Sequence, residues 1–284
     1  MSGPVARAVS HLTALAGSAG LAAAVPLFDR FIPRAGYTVQ RDLAYGEHPR
    51  QRLDLYLPDG LMALAPVLLF FYGGSWQSGT KAIYRFLGQA FASQGIIVAV
   101  ADYRLYPEVK YPVFIEDGAR AFRFLRDHAR DWSGDPTRIV VSGHSAGAYI
   151  ATMLGVNPLY LAAVDATPSD IRGIIGIAGP YDFLPLQDPA LIDIFGGGRN
   201  MATQPIKYAA NPSPPMLLAH GTKDSTVGAG NTRHIAARLE QAGNAVEVEL
   251  YGGTGHLGIV LSLAHGFRKN TTLHADMLRF IARS

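Results

Sequence analysis

Gly143-His144-Ser145-Ala146-Gly147 is a G-x-S-x-G pentapeptide, and its flanks suit nucleophilic chemistry. The β-branched run Ile139 to Val141 before it reads as a strand buried on both faces. Ala146 to Leu154 after it has good helix formers and apolar residues at helical spacing. A strand that turns abruptly into a helix holds the central serine on a strained corner, with its hydroxyl out of the sheet. The free N–H groups and positive dipole end of the helix point at the same place. Such a serine needs a histidine base, an acid to orient that base, and donors for a developing oxyanion.

Those groups must be carried by the rest of the fold. The chain has 284 residues, about half of them apolar, a formal charge of +3 and no cysteine. That length and composition suit one large core. The small charge gives no footprint for nucleic acid, and the missing thiols remove disulfides, thiolate metal sites and a cysteine nucleophile. Val39 to Tyr45 and Arg52 to Leu57 read as an antiparallel hairpin, split by Gly46-Glu47-His48-Pro49. Continuously apolar runs follow at Val67–Tyr72, Ile96–Val100, Ile139–Val141, Ile174–Ile177 and Met216–Ala219, with Val246–Leu250 as the last strand. Helical patterns lie between several of these, at Ile83–Ser93, Phe114–Ala129 and Ala146–Leu154, and Thr271–Ala282 is the last helix. Alternation of this kind predicts an α/β fold, with a mostly parallel sheet of about eight strands and helices on both faces. Asn157–Asp170 and Tyr181–Pro215 read as irregular and suited to cover a site.

Open parallel sheets bind ligands at the carboxyl ends of their strands. After the third strand comes Tyr72-Gly73-Gly74-Ser75-Trp76, whose consecutive glycines leave backbone N–H groups free to face an oxyanion. After Met216–Ala219 comes His220-Gly221-Thr222-Lys223-Asp224, placing Asp224 to orient a histidine. After the last strand comes Gly252-Gly253-Thr254-Gly255-His256, a histidine in a glycine-rich loop suited to proton shuttling. His265 and His274 are rivals for the base, and read as loop and helix-surface residues. Asp182, Asp193, Glu247 and Glu249 are rivals for the acid.

The order Ser145, Asp224, His256 is that of the α/β-hydrolase triad. Residues from about Leu53 to Ser284 resemble α/β-hydrolases of the esterase/lipase kind: small carboxylesterases related to hormone-sensitive lipase, feruloyl and acetyl esterases, and kynurenine formamidase. Asp102-Tyr103-Arg104-Leu105, Pro107-Glu108, Tyr111-Pro112 and Glu116-Asp117 carry the resemblance beside the pentapeptide. The resemblance implies a largely structural role for that segment. Tyr72 stands where the family usually has histidine.

The reading that follows is a serine hydrolase cleaving small or short-acyl carboxylic esters through an acyl-serine, without cofactor or metal. Ser145 is the nucleophile, His256 the base and Asp224 the acid, with backbone N–H groups of Gly74, Ser75 and Ala146 as the oxyanion hole. Gly73 and Tyr72 support that loop. Tyr72 is expected to pin it, the alternatives being direct contact with the oxyanion or simple packing. Trp76 and His144 are candidates for lining the substrate pocket, and Tyr103, Tyr106 and Tyr111 for lining it or joining the core. An amidase or formamidase with the same triad is the alternative activity, and a non-catalytic binding protein on this scaffold the third. A small-molecule ester is the expected partner, with no nucleic acid.

Residues 1–36 read as a helical arm packed on a single catalytic domain at 37–284, with membrane contact through the arm not expected. Cytoplasmic placement is expected, the alternative being a secreted or periplasmic protein if residues 1–24 are a signal peptide.

Overall fold

Strand register places the loops that carry the chemistry side by side. In the computed structural model, which describes residues 32–284, one eight-stranded sheet runs in the order β1-β2-β4-β3-β5-β6-β7-β8. The strands are β1 (Tyr37–Ala44), β2 (Arg52–Pro58), β3 (Ala65–Phe71), β4 (Ile97–Ala101), β5 (Gly134–His144), β6 (Gly173–Ile177), β7 (Met216–Gly221) and β8 (Val246–Tyr251). β1 pairs antiparallel with β2 and β2 with β4, and all other pairs are parallel. Phe71 lies opposite Gly143, His144 opposite Ile177, and Gly221 opposite Tyr251. The segments leaving β3, β5, β7 and β8 therefore emerge together at the carboxyl edge, where parallel sheets of this kind bind ligands.

The helices are α1 (Arg85–Ala92), α2 (Val113–His128), α3 (Ala146–Val156), α4 (Pro158–Ala162), α5 (Pro189–Ile194), α6 (Pro205–Tyr208), α7 (Gly230–Gln241), α8 (His256–Leu261) and α9 (Leu273–Arg283). The central strands β4 and β6 are buried at every position, as their unbroken apolar runs require. α3 is buried along its whole length, so it behaves as core rather than as an amphipathic surface helix. At the edge, β8 alternates in exposure, and Glu247 and Glu249 on it face Arg283 and Arg279 of α9. That pairing removes both glutamates from contention as the acid.

The α/β architecture agrees with the sequence reading, with several differences in extent. β5 begins at Gly134, well before Ile139, because its first residues are polar or half-exposed and lack the apolar signature. α7 joins β7 to β8 where the sequence reading names no helix. Its buried Thr232, Ile235, Ala236 and Leu239 do show helical spacing. The stretches read as irregular contain α4, α5 and α6, each too short to establish a period. Most of the arm, and the whole of the candidate signal segment, lie outside the described residues. Within the described residues no helix is long and apolar enough to cross a membrane.

Candidate active site

Ser145 occupies the corner between β5 and α3 with φ 54° and ψ −121°, a left-handed conformation that is costly for a non-glycine residue. Its N–H donates to the Ile177 carbonyl of β6 at 2.8 Å, which fixes the corner. The helix can start so close to the sheet only because Gly147 lacks a side chain: a Cβ there would lie 2.0 Å from the Phe71 carbonyl oxygen.

From this corner a hydrogen-bonded chain runs to β8 and β7. Ser145 Oγ is 2.9 Å from His256 Nε2, and His256 Nδ1 is 2.6 Å from Asp224 Oδ2. A carboxylate only accepts, so Nδ1 carries the proton and Nε2 is free to accept from the serine hydroxyl. Asp224 is shielded from solvent, and its Oδ1 accepts the N–H groups of Thr226 and Val227 at 2.9 Å each. Burial alone would raise its carboxyl pKa. Hydrogen bonds from His220 and His256, with the Val227 N–H, outweigh burial and hold it well below the usual carboxylate range.

Ser145, His256 and Asp224 thus form one hydrogen-bonded chain, although His256 is the first residue of α8 rather than part of a loop. His220 is a neighbour of Asp224 that the sequence reading did not assign. It is fully buried in β7, its Nε2 donates to the Val227 carbonyl at 2.8 Å and lies 3.2 Å from Asp224 Oδ2, and its Nδ1 meets the Thr232 hydroxyl at 2.8 Å. A histidine ending an apolar strand four residues before the acid was the available signal. The rivals sit elsewhere. Asp182 pairs with His234 and Asp193 with Lys110 on the surface, His265 is exposed, and His274 donates to the Ala90 carbonyl.

The candidate oxyanion side is the loop after β3. Gly74, Ser75 and Trp76 take φ values of 139°, 53° and 60°, and the Gly74 carbonyl accepts from Gln77 and Ser78. Among the described residues, the N–H groups of Gly74, Ser75 and Ala146 have no backbone acceptor. Gly73 brings this loop against the nucleophile, since a Cβ there would fall 2.9 Å from Ser145 Cβ.

Tyr72 holds the loop from behind. Its hydroxyl donates to Asp102 Oδ1 at 2.7 Å and accepts from Arg50 at 2.6 Å. Arg50 also donates to the Gly79 carbonyl, and Asp102 also accepts the Lys81 N–H. Both ends of the 72–81 segment are thereby tied to one cluster. The phenol faces Asp102 and not the cavity, which corrects the alternative of direct contact with the oxyanion. Tyr72→Phe is expected to lower kcat about tenfold, the worth of roughly one supporting hydrogen bond. Unchanged steady-state rates in the purified variant would reduce Tyr72 to packing. The Asp102-Tyr103-Arg104 segment is scaffold: Tyr103 donates to the Tyr72 carbonyl at 2.8 Å, and Arg104 pairs with buried Asp117 at 2.6 Å.

Ser145 and His256 open into a cavity of about 990 Å³. Its walls are glycine backbone and short polar side chains, with Ile83, Tyr84 and Leu257 as apolar contributions. Trp76 is not among the lining residues, which corrects its assignment to the pocket. It is 3% exposed, and its ring packs on Tyr149, Phe183 and Phe195 at 5.2, 6.2 and 4.8 Å. Phe183 and Phe195 belong to the 181–215 stretch, which therefore covers this aromatic cluster and not the serine. Tyr103 is likewise core, stacked on Tyr72.

His144 does line the cavity and is almost wholly buried. Burial, with the nearby His256, pushes its imidazole pKa down from an ordinary 6.5 to about 3. The unfolded chain thus takes up a proton below about 6.5 that the fold refuses until about 3, so stability falls as pH drops across that window. Between pH 7 and 5 the protein is expected to lose about 2 kcal/mol more than its His144→Gln variant. Urea midpoints at the two pH values measure this, and equal losses would show that His144 accepts a proton inside the fold.

No group of three or more histidine, aspartate or glutamate side chains among the described residues is arranged to hold a metal ion.

The BD-FAE family model matches residues 53–239, well over half of the chain. A probable isoprenylcysteine alpha-carbonyl methylesterase of Arabidopsis thaliana is 32% identical over 78% of this chain and 52% of its own length. Esterase LipC of Mycobacterium tuberculosis is 28% identical over 85% of this chain and 64% of its own. The chain thus spans about half the length of the plant relatives it matches. Among solved structures, Thermogutta terrifontis esterase 2 phosphoramylated by tabun superimposes with a TM-score of 0.71 at 27% identity, over 88% of this chain and 96% of that one. A truncated carbohydrate esterase from gut microbiota reaches 0.76 over 89% and 98%, and at 19% identity this is a likeness of fold alone.

Proposed function

The chain belongs to the BD-FAE family of α/β-hydrolases, and from that premise we propose that it is a serine hydrolase cleaving carboxylic esters through an acyl-serine intermediate. The observation that carries this is the unbroken chain Ser145–His256–Asp224, at 2.9 and 2.6 Å, facing a cavity whose other wall offers free backbone N–H groups. Ser145 attacks the ester carbonyl while His256 Nε2 takes its proton. Asp224 keeps the Nδ1–H tautomer and stabilises the imidazolium. Oxygen charge develops towards the N–H groups of Gly74, Ser75 and Ala146, where each fixed donor is worth about a hundred- to a thousandfold in rate. The imidazolium then protonates the leaving alcohol, and water, deprotonated by the same nitrogen, releases the acid.

Small or short-acyl esters fit best, because the cavity has few apolar side chains to cover a long chain. The plant relatives are named for a methyl ester, and a methanol leaving group would demand little of the polar wall around Thr226 and Gly252–Gly255. Across p-nitrophenyl esters from acetate to palmitate, kcat/KM is expected to be highest at the short end and to fall with length. A maximum at palmitate would overturn the short-acyl assignment. No turnover of any ester, beside rapid hydrolysis of a matched formamide, would replace the esterase with an amidase.

A further inference from the structure

We infer that His144 is a positioning residue for the catalytic base, its ring holding the His256 backbone by a hydrogen bond while it packs beside Gly73 at the start of the oxyanion loop. This rests on the esterase reading of the same site. His144 is the last residue of β5 and 1% exposed. Its Nε2 lies 2.9 Å from the His256 carbonyl oxygen, so Nε2 carries the proton and donates. The two imidazole rings are 4.8 Å apart at their centroids. The opposite edge of the His144 ring faces the other half of the machinery, since a Cβ on Gly73 would come 3.0 Å from Nδ1. One side chain anchored on the central strand thus bonds to the segment that delivers the base and lies beside the loop that delivers oxyanion donors.

The need for such an anchor follows from the sequence around the base. His256 comes after Gly252-Gly253-Thr254-Gly255, a segment with little intrinsic stiffness. Asp224 and Ser145 hold the two ring nitrogens, whereas His144 holds the backbone from which the ring hangs. The chemistry also restricts what the anchor can be. A carbonyl needs a donor, but a lysine or arginine there would place a second cation beside the imidazolium that forms in the reaction. A buried neutral imidazole gives an N–H without a charge. Its Nδ1 is buried without a hydrogen-bond partner among the described residues, which costs stability that an apolar residue would not. Histidine here therefore serves the site at the expense of the fold.

That opposition supplies the test. His144→Leu fills similar space without a donor, and His144→Gln keeps a neutral N–H. Steady-state kinetics with p-nitrophenyl acetate, thermal melting, and NMR of the His256 imidazole are measured on both variants and the parent. The leucine variant is expected to melt no lower than the parent, yet to lose about 10- to 100-fold in kcat, with KM changed by less than about threefold. Glutamine is expected to recover most of kcat and to return the His256 resonances towards the parent's. Should the leucine variant not fold, His144→Ala takes its place as the donorless variant. A donorless variant with parental kcat, or a glutamine variant as slow as it is, overturns the positioning role and leaves the esterase reading intact. A parent that turns over no ester, with His256 resonances disturbed by leucine and restored by glutamine, overturns the esterase reading and keeps the positioning role.

Discussion

Ser145→Ala is expected to fold as the parent does and to lose ester hydrolysis by on the order of 10⁵-fold or more. Among the described residues, the hydroxyl is the only group hydrogen-bonded to His256 Nε2, at 2.9 Å, that can become an acyl carrier. Alanine at φ 54° is no more strained than serine, and the Ser145 N–H keeps its bond to Ile177. Far-ultraviolet circular dichroism and melting should match the parent while p-nitrophenyl acetate turnover drops to a residue supplied by the oxyanion hole and binding. A well-folded Ser145→Ala protein of near-normal activity would end the serine-hydrolase proposal.

Asp224→Asn should cost nearly as much, on the order of 10⁴-fold in kcat. The asparagine oxygen can still accept the N–H groups of Thr226 and Val227, so the turn survives. Its amide nitrogen, however, then replaces Oδ2 and presents a donor to His256 Nδ1, so the tautomer that leaves Nε2 free to accept the serine proton is no longer favoured. The parent carboxyl stays ionised across the working pH range because its hydrogen bonds hold its pKa low. Asp182→Asn and Asp193→Asn should remain within a few-fold of the parent, since those carboxylates pair with His234 and Lys110 at the surface. Measured on folded variants, the opposite ranking would move the acid to another strand end.

Much of this site is local in origin and was therefore legible. The strand–G-x-S-x-G–helix unit is a contiguous stretch whose glycines, β-branched run and helix formers each state their conformation through neighbours a few residues away. Asp224 and His256 could be picked because chain order and strand ends restrict where an acid and a base can stand in a parallel sheet. Glu247 and Glu249 could be set aside for the same reason, as residues inside the last strand.

What tertiary structure decided is the partner of each ambiguous side chain. An aromatic after a strand reads the same whether it lines a pocket or fills a core. Trp76 became core because Phe195 and Phe183, over a hundred residues later, fold onto it. Tyr72 became a loop anchor because Arg50, from the turn before β2, and Asp102, just after β4, converge on its hydroxyl. His220 and His144 look alike in sequence as polar residues ending apolar runs. Only the fold gives one Asp224 as a neighbour and the other the backbone of His256. Hydrogen bonds between residues far apart in the chain leave no periodic trace in either segment, so composition and spacing could single out Ser145, Asp224 and His256 but not the groups that hold them in place.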